Sequence, residues 1–458
     1  MPLSSQFSGL TAQIETLQTV RAVGRVVAVK AGVVRVAGLS GQARIGDWIS
    51  IQCARADAIS GEIVQLQDDL LVALPDAAPE GVALGDRVIL LDSGTIAPAN
   101  GWIGRVIDPS GNPLDGRPLL RGPMARPLRA PPPQANDRRP LGARLDTGMA
   151  VTNTFLPIVR GQRVGLFAGS GVGKSSLLGH LAKHMEADVV VIAMIGERGR
   201  ELRHFIDGVM GAEGLKRTIV VTATSDQSPL QRRRCAWSAM AVAEHFRDQG
   251  KSVLFLADSI TRFAEAHREI AVAAGEAPVL RGFPPSTSHL IMSLCERAGT
   301  GQTHQGDITA LFSVLVAGSD MDEPIADILR GVLDGHVILD RSIAERGRYP
   351  AIDVLRSVSR SLPGAASDVE NSMLSQARKM LGIYDRNAMM IRAGLYAHGS
   401  DPEVDQAIAI WPELDGFLAK VETLGCEHSF QQLELILRRA KQTGNFQARA
   451  NRTVREAL

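Results

Sequence analysis

The sequence predicts an α/β protein in three parts: a small β-barrel, a core with a parallel sheet covered by helices, and an all-helical C-terminal part. Three observations predict it. Residues 21–93 carry short β-rich runs at close intervals, separated by glycines and Asp/Pro turns. From about Leu141 apolar strands alternate with amphipathic helical stretches. Beyond Pro363 strand signals vanish and helical periodicity remains. The expected boundaries are an amphipathic helix over 1–20, a barrel over 21–93, an α/β core over 94–362 and a helical domain over 363–458.

The first element rests on Leu3, Phe7, Leu10, Ile14 and Leu17, spaced four, three, four and three apart. That is one apolar helix face, fit either to pack on its own domain or to dock a partner protein. The barrel strands are expected at Gly24–Val29, Val33–Val36, Trp48–Ile51, Glu62–Leu66, Leu70–Leu74 and Val88–Leu91. A barrel or a sandwich fits equally, and no catalytic constellation lies within it. The turn formers of Gly104–Gly116 and the run Ala130-Pro131-Pro132-Pro133 read as extended chain over a surface. Core strands are expected at Ala187–Ile195, Thr218–Ala223, Val253–Ala257, Thr309–Ala317 and Val337–Leu339, with helices such as Cys235–Phe246 and Ser259–Ala273 between them. That alternation implies a parallel sheet with both faces covered. The C-terminal helices are expected at Val369–Ile383, Asp401–Ala409, Glu413–Glu422 and Ser429–Arg439.

Bulk properties narrow the function. With 458 residues the chain has room for about three domains. Hydrophobic residues at 45% and charged ones at 22% suit a globular protein in water, and a net charge of +1 gives no support to nucleic acid as a partner. Cys53, Cys235, Cys295 and Cys426 are widely scattered, without metal-ligand spacing, so a reducing cytosol is expected. No apolar run approaches the roughly 18 residues of a membrane span, and a signal-peptide pattern is missing.

The chemistry centres on Ala168-Gly169-Ser170-Gly171-Val172-Gly173-Lys174-Ser175-Ser176. The run Val164–Phe167 before it reads as a buried strand, and Leu177–Leu181 after it as the opening of a helix. A Gly-rich turn between strand and helix that ends in Gly-Lys-Ser is a phosphate cradle. Glycines let backbone N–H groups converge on phosphate oxygens, and the helix N-terminus adds unpaired N–H groups and partial positive charge. Lys174 is expected to reach the β- and γ-phosphates and the Ser175 hydroxyl to hold Mg²⁺. Ala168 stands where the usual pattern has Gly.

Two carboxylates follow strands. Leu254-Phe255-Leu256-Ala257 ends in Asp258, placed to hold Mg²⁺ through water, although a strand-terminal Asp also serves as a helix cap. Glu197, in Ile195-Gly196-Glu197-Arg198-Gly199-Arg200-Glu201, is expected at the carboxyl edge of the sheet, where it could polarise an attacking water. The plainer alternative there is a salt-bridged loop among Arg198, Arg200 and Glu201.

Together, Phe167–Ser175, Gly196–Glu201, Asp258-Ser259-Ile260-Thr261-Arg262-Phe263-Ala264 and Glu296-Arg297-Ala298-Gly299 resemble the type III secretion ATPase family, relatives of the catalytic subunit of the rotary ATP synthase. Asp322–Asp327, Leu333–His336 and Tyr349–Leu355 extend the match over nearly the whole chain. Within the family the flagellar export ATPase is most similar, and the injectisome ATPase is the nearest rival. The resemblance implies a RecA-like core, ATP and Mg²⁺, with Glu197 activating water, Arg198 supporting the phosphate side, Asp258 with the metal and Tyr349 stacking on adenine. It makes Arg360 an arginine finger acting in trans, so that subunits close into a homohexameric ring. Further implied partners are a regulatory stalk protein at the N-terminal helix, a coiled-coil central stalk, an export-gate membrane protein and chaperone–substrate complexes. The implied place is the cytoplasm, at the inner-membrane export apparatus.

One local departure is Pro284-Pro285-Ser286-Thr287-Ser288-His289-Leu290, expected as a loop with a solvated His289. The acidic lever of the synthase subunit has no counterpart at Leu381–Asn387, which argues for an export ATPase. Two other classes compete. A non-catalytic nucleotide-binding ring subunit has no need of Glu197. A nucleic-acid translocase needs a basic, aromatic platform in the barrel, which here offers mainly Trp48.

Overall fold

The computed structural model describes residues 11, 14, 20–30, 32–54, 56–316 and 321–439. The expected helix over 1–20 falls, apart from Thr11, Ile14 and Val20, outside the described residues.

Six strands close into an antiparallel barrel: β1 (Val23–Lys30), β2 (Val33–Ala37), β3 (Asp47–Gln52), β4 (Ile59–Leu66), β5 (Leu70–Pro75) and β6 (Arg87–Ser93), in the order β1-β2-β5-β4-β3-β6. Alternation makes the barrel. Val34 and Val36 point inward while Arg35 between them is exposed, and Ile49 and Ile51 do the same on β3. With Val26, Leu39, Ile63, Leu71, Ala73 and Val88 they form a filled interior. Each such large side chain contributes about 1.5–3 kcal/mol by leaving water.

Further strands follow in chain order: β7 (Thr95–Ile96), β8 (Val106–Ile107), β9 (Arg126–Pro127), β10 (Arg163–Ala168), β11 (Val189–Glu197), β12 (Thr218–Thr224), β13 (Ser252–Asp258), β14 (Gly299–Thr300), β15 (Asp307–Leu315), β16 (Gly335–Leu339) and β17 (Val358–Ser359). The described chain divides into two compact units. The first holds the chain up to Pro140, Ala187–Leu315 and Met321–Val332, and the second holds Leu141–Glu186 and the chain from Leu333 onward.

In the first unit β8, β12, β11, β13 and β15 pair in parallel, and β14 adds antiparallel to β15. β11 and β13 are buried almost end to end, as a sheet covered on both faces requires. Helix Pro229–Asp248 covers it and starts six residues before the expected Cys235, because Ser228 caps Gln231 N–H and Pro229 fits the first turn. The stretch expected as a loop around Pro284–Leu290 is instead a helix from Ser286 to Arg297. Thr287, Ile291, Leu294, Cys295 and Arg297 are its buried positions, and the polar run Thr287-Ser288-His289 hides that register in the sequence. His289 is exposed, as expected, but on a helix.

This unit also buries a charge cluster. Glu62 of β4, 2% exposed, accepts from Arg233 Nη2 at 2.7 Å, Arg129 Nη2 at 2.7 Å and Arg234 Nη2 at 3.4 Å. Arg234 also donates to Asp76 at 2.7 Å and lies 4.1 Å over the Trp48 ring. Burial alone would push the Glu62 carboxyl up, but the guanidinium charges of Arg233, Arg129 and Arg234 outweigh it and hold it below its ordinary value.

In the second unit β10 pairs in parallel with β16, and β17 pairs antiparallel with β16. Helix Asp368–Arg392 opens with a capping box between Ser367 and Glu370. The two helices expected at Asp401–Ala409 and Glu413–Glu422 are one, Pro402–Leu418, with Pro412 inside it. Val404, Ala407, Ile410, Leu414 and Phe417 make one continuous buried face, and that packing outweighs the hydrogen bond lost at Pro412. Residues 426–439 form a further helix. Among the described residues no helix is long and apolar enough to cross a membrane.

Candidate active site

The phosphate loop lies in the second unit. β10 is buried from Val164 to Ala168 and hands over to the loop at Gly169. Ala168 O accepts from Val316 N–H at 3.1 Å, which fixes the strand's last rung. Gly171 and Gly173 have φ of +77° and +89°, a region that a side chain makes costly. Helix Lys174–His184 then begins directly at Lys174, and no side chain caps its N-terminus. The N–H groups of that first turn, the half-buried Lys174 and the exposed Ser175 and Ser176 form a concave donor set suited to a polyphosphate. Val172 is 2% exposed and anchors the loop from inside.

Tyr349 is brought to this loop. A Cβ built on Gly173 would stand 3.1 Å from Tyr349 Cδ1 and 3.2 Å from Cε1, so the ring lies against the cradle's last glycine. Tyr349 itself is 52% exposed, a ring with an open face beside the phosphate loop. Its neighbour Arg348 holds the segment: Nη2 donates to Ile352 O at 2.7 Å, and Nε lies 3.2 Å from Asp415 Oδ1 of helix Pro402–Leu418.

Arg360 is placed elsewhere. It follows β17, whose Ser359 pairs with Gly335 at the start of β16, and its N–H donates to Asp334 O at 3.0 Å. Asp334 N–H in turn donates to Arg163 O at the start of β10. The phosphate loop leaves the other end of β10, five rises of about 3.3 Å away, or ~17 Å. Arg360 is exposed at that end of the sheet.

The carboxylates lie in the first unit. Glu197 ends β11 and Asp258 ends β13, with Met194 opposite Asp258, so both stand at the carboxyl edge of the parallel sheet. Asp258 is 1% exposed and accepts from Ser313 Oγ at 2.7 Å. It does not cap the next helix. Ser259 does, accepting from Arg262 N–H. Glu197 is half-buried after a bulge, and Gly196 before it has φ +68° with the Arg262 stem 3.2 Å from where a Cβ would sit. Arg198 is largely exposed and sits 3.5 Å from Glu201, the ion pair of the plainer alternative.

Sequence reasoning passed over Arg262 and Ser313. Arg262 donates to Glu265 at 2.7 Å, and that bond, with the charges of Glu265, Glu197 and Glu201, raises its pKa against the opposing pull of partial burial. Its signal was its place in Asp258–Ala264, three residues after the capping Ser259. Ser313 carried a weaker one, a lone hydroxyl in the apolar run Leu311-Phe312-Ser313-Val314.

Comparison with known proteins decides the family. Residues 148–359 match the model of the ATP synthase alpha/beta family nucleotide-binding domain, and residues 366–434 that of the T3SS EscN ATPase C-terminal domain. The flagellum-specific ATP synthase of Caulobacter vibrioides is 43% identical over 437 residues, 93% of this chain and 98% of that protein. The chain belongs to the flagellum-specific ATP synthase family. The Salmonella typhimurium member is 42% identical, covering 82% of this chain and 85% of its own. Among solved structures, the assembled ATPase EscN of the enteropathogenic E. coli type III secretion system superposes with a TM-score of 0.82 at 33% identity, over 90% of this chain and 99% of that one. EscN in complex with its central stalk EscO gives 0.80 at 33% identity. This family member is thus a nucleotide-binding ATPase with the EscN fold: an N-terminal barrel, a parallel-sheet core and C-terminal helices.

Proposed function

We propose that this ATPase hydrolyses Mg²⁺-ATP for the flagellar type III export apparatus, at sites completed by a neighbouring subunit of a homohexameric ring. The placement of Arg360 carries the reading: it lies ~17 Å along the sheet from its own phosphate loop, too far to act there. An arginine finger in that position works in trans, and heterologous contacts of that kind close into a ring.

The roles follow from chemistry. Backbone N–H groups of Gly169–Ser176 and Lys174 take the triphosphate, and the Tyr349 ring takes the adenine. Hydroxyl and carboxylate oxygens suit a hard cation, so Ser175 and Asp258 fit Mg²⁺, which when bound neutralises phosphate charge. Glu197 accepts a hydrogen bond from the attacking water. That water's oxygen bonds to the γ-phosphorus as the bond to the β–γ bridging oxygen breaks and ADP leaves. Arg198 supports the phosphate side, and Arg360 of a neighbour stabilises the transition-state charge.

The flagellum-specific relatives and the type III secretion ATPase EscN support a role in flagellar export, and the EscN–EscO complex supports a central stalk, here a coiled-coil protein, as partner. The further partners of this reading are a regulatory stalk protein at residues 1–20, an export-gate membrane protein and chaperone–substrate complexes. The site of action is the cytoplasm, at the inner membrane. The Trp48 ring, the barrel's one aromatic, carries Arg234 at 4.1 Å, which speaks against a base-stacking platform. The test is complementation. Arg360→Ala and Lys174→Ala should each abolish hydrolysis, with nucleotide binding intact in Arg360→Ala. Mixed, they should regain part of the rate, because a Lys174 site can meet a neighbour's Arg360. Mixtures that stay inactive while co-assembling count against a shared site.

A further inference from the structure

Asp258 and Ser313 are a buried pair made by strand register. β13 and β15 run parallel with Ala257 opposite Phe312, so the next residues, Asp258 and Ser313, meet side by side at the carboxyl edge. Ser313 is fully buried between Phe312 and Val314, also fully buried. A hydroxyl there costs free energy unless it is bonded. It has two acceptor lone pairs and one proton, and it donates that proton to Asp258 Oδ1 at 2.7 Å. The end of the same strand is pinned by Thr261, whose Oγ1 accepts from Leu315 N–H at 2.9 Å. Thr261 lies on the helix that Ser259 caps, directly after Asp258. The hydroxyl, the carboxylate and the strand end therefore form one rigid set.

We propose that Ser313 is a positioning residue for hydrolysis: by donating to Asp258 Oδ1 it fixes the carboxylate plane that faces the cation. This rests on the reading of Asp258 as the Mg²⁺-associated aspartate. A short bond to Oδ1 narrows the orientations the carboxylate takes, and its removal widens them toward rotations that present the oxygens less well. Partners that orient metal-side carboxylates typically change metal affinity or activity by about 10–100-fold when removed. A threonine keeps the hydroxyl. Valine keeps threonine's shape and removes the donor.

The experiment compares Ser313→Val, Ser313→Thr and Asp258→Asn in the full-length protein. Two quantities are read: the Mg²⁺ concentration at half-maximal hydrolysis, and the factor by which Mg²⁺ changes the affinity for a fluorescent ATP analogue, which needs no turnover. Ser313→Val should raise the Mg²⁺ midpoint about 10-fold and shrink the Mg²⁺ effect on analogue binding, while Mg²⁺-free binding stays at the wild-type level. Ser313→Thr should stay within about 2-fold of wild type. In the Asp258→Asn background, Ser313→Val should add nothing. Equal losses in the Thr and Val variants would mean that packing and not the hydroxyl matters, and a wild-type Mg²⁺ midpoint in the Val variant also overturns the proposal. If Asp258→Asn itself leaves the Mg²⁺ midpoint unmoved, the metal reading of Asp258 fails instead, whatever Ser313 does.

Discussion

Replacing Glu62 by alanine takes away the acceptor shared by three guanidinium groups. The side chains of Arg233 and Arg234 are 5% and 2% exposed, so neither regains water. Arg129, at 46%, does. Arg234 keeps Asp76 at 2.7 Å, but Arg233 is left with its contact to His267 Nδ1 at 3.4 Å and its place over the Trp237 ring, neither of which is a carboxylate. Breaking a buried pair from one side costs about 3–5 kcal/mol, and the surviving Asp76 contact argues for the lower half of that range. For a unit of this size ~3–4 kcal/mol corresponds to a melting-temperature drop on the order of 10 °C. Arg129→Ala, by contrast, should cost under about 1 kcal/mol, because its partner keeps two other donors and the arginine itself is half in water. Urea unfolding followed by tryptophan fluorescence suits the test, since Trp48 and Trp237 both lie under arginines of the cluster. A Glu62→Ala midpoint no lower than that of Arg129→Ala would refute the ranking by burial.

Three further outcomes are expected. Burial first, and then the Arg233 charge, lower the His267 pKa to about 4, with Arg129 acting the same way and Glu276 and Glu62 opposing. The unfolded chain therefore binds a proton that the native state refuses, so this contribution, on the order of 3 kcal/mol, is full above about pH 6.5 and is lost as pH falls toward 4. His267→Gln should flatten that part of a stability–pH curve. Asp415→Ala strands Arg348, whose side chain is 6% exposed, and should cost roughly 3 kcal/mol, while Lys379→Ala, which breaks the exposed pair with Glu403, should stay within about 0.5 kcal/mol in thermal unfolding. Gly173→Ala forces a φ of +89° on a side chain and pushes a methyl to 3.1 Å from Tyr349, so nucleotide affinity should drop about 10-fold with the fold intact, as read by fluorescent-analogue titration.

Much of the fold was legible because its signals are local. Alternation in Val33–Val36 and Trp48–Ile51 and the apolar runs before Glu197 and Asp258 translate directly into strands. Where local and tertiary signals diverge, the reading slipped. Pro412 marks a break in sequence, yet a continuous buried face carries the helix through it. The Ser228-Pro229 start of helix Pro229–Asp248 was written in the chain but passed over. Within the site, the phosphate loop is contiguous and could be read alone. Tyr349 beside Gly173, Ser313 beside Asp258 and Glu62 beneath three arginines depend on strand register between distant segments, which no single stretch encodes. Tyr349 and Arg360 entered through family resemblance, and the register of β17 against β16 places Arg360 at the end of the sheet where β10 begins rather than where the phosphate loop leaves it.

On the proposed reading Glu197, at the carboxyl edge of β11, activates the water that attacks a triphosphate held by the phosphate-loop backbone and Lys174. Glu197→Gln keeps the size and the hydrogen-bonding reach of that side chain and removes its negative charge. Steady-state ATP hydrolysis and fluorescent-analogue binding, measured on the same preparation, separate the two functions. Glu197→Gln should reduce hydrolysis by at least about 100-fold with analogue affinity within about 3-fold of wild type. Hydrolysis near the wild-type rate, or a loss of analogue binding that matches the loss of hydrolysis, would contradict it.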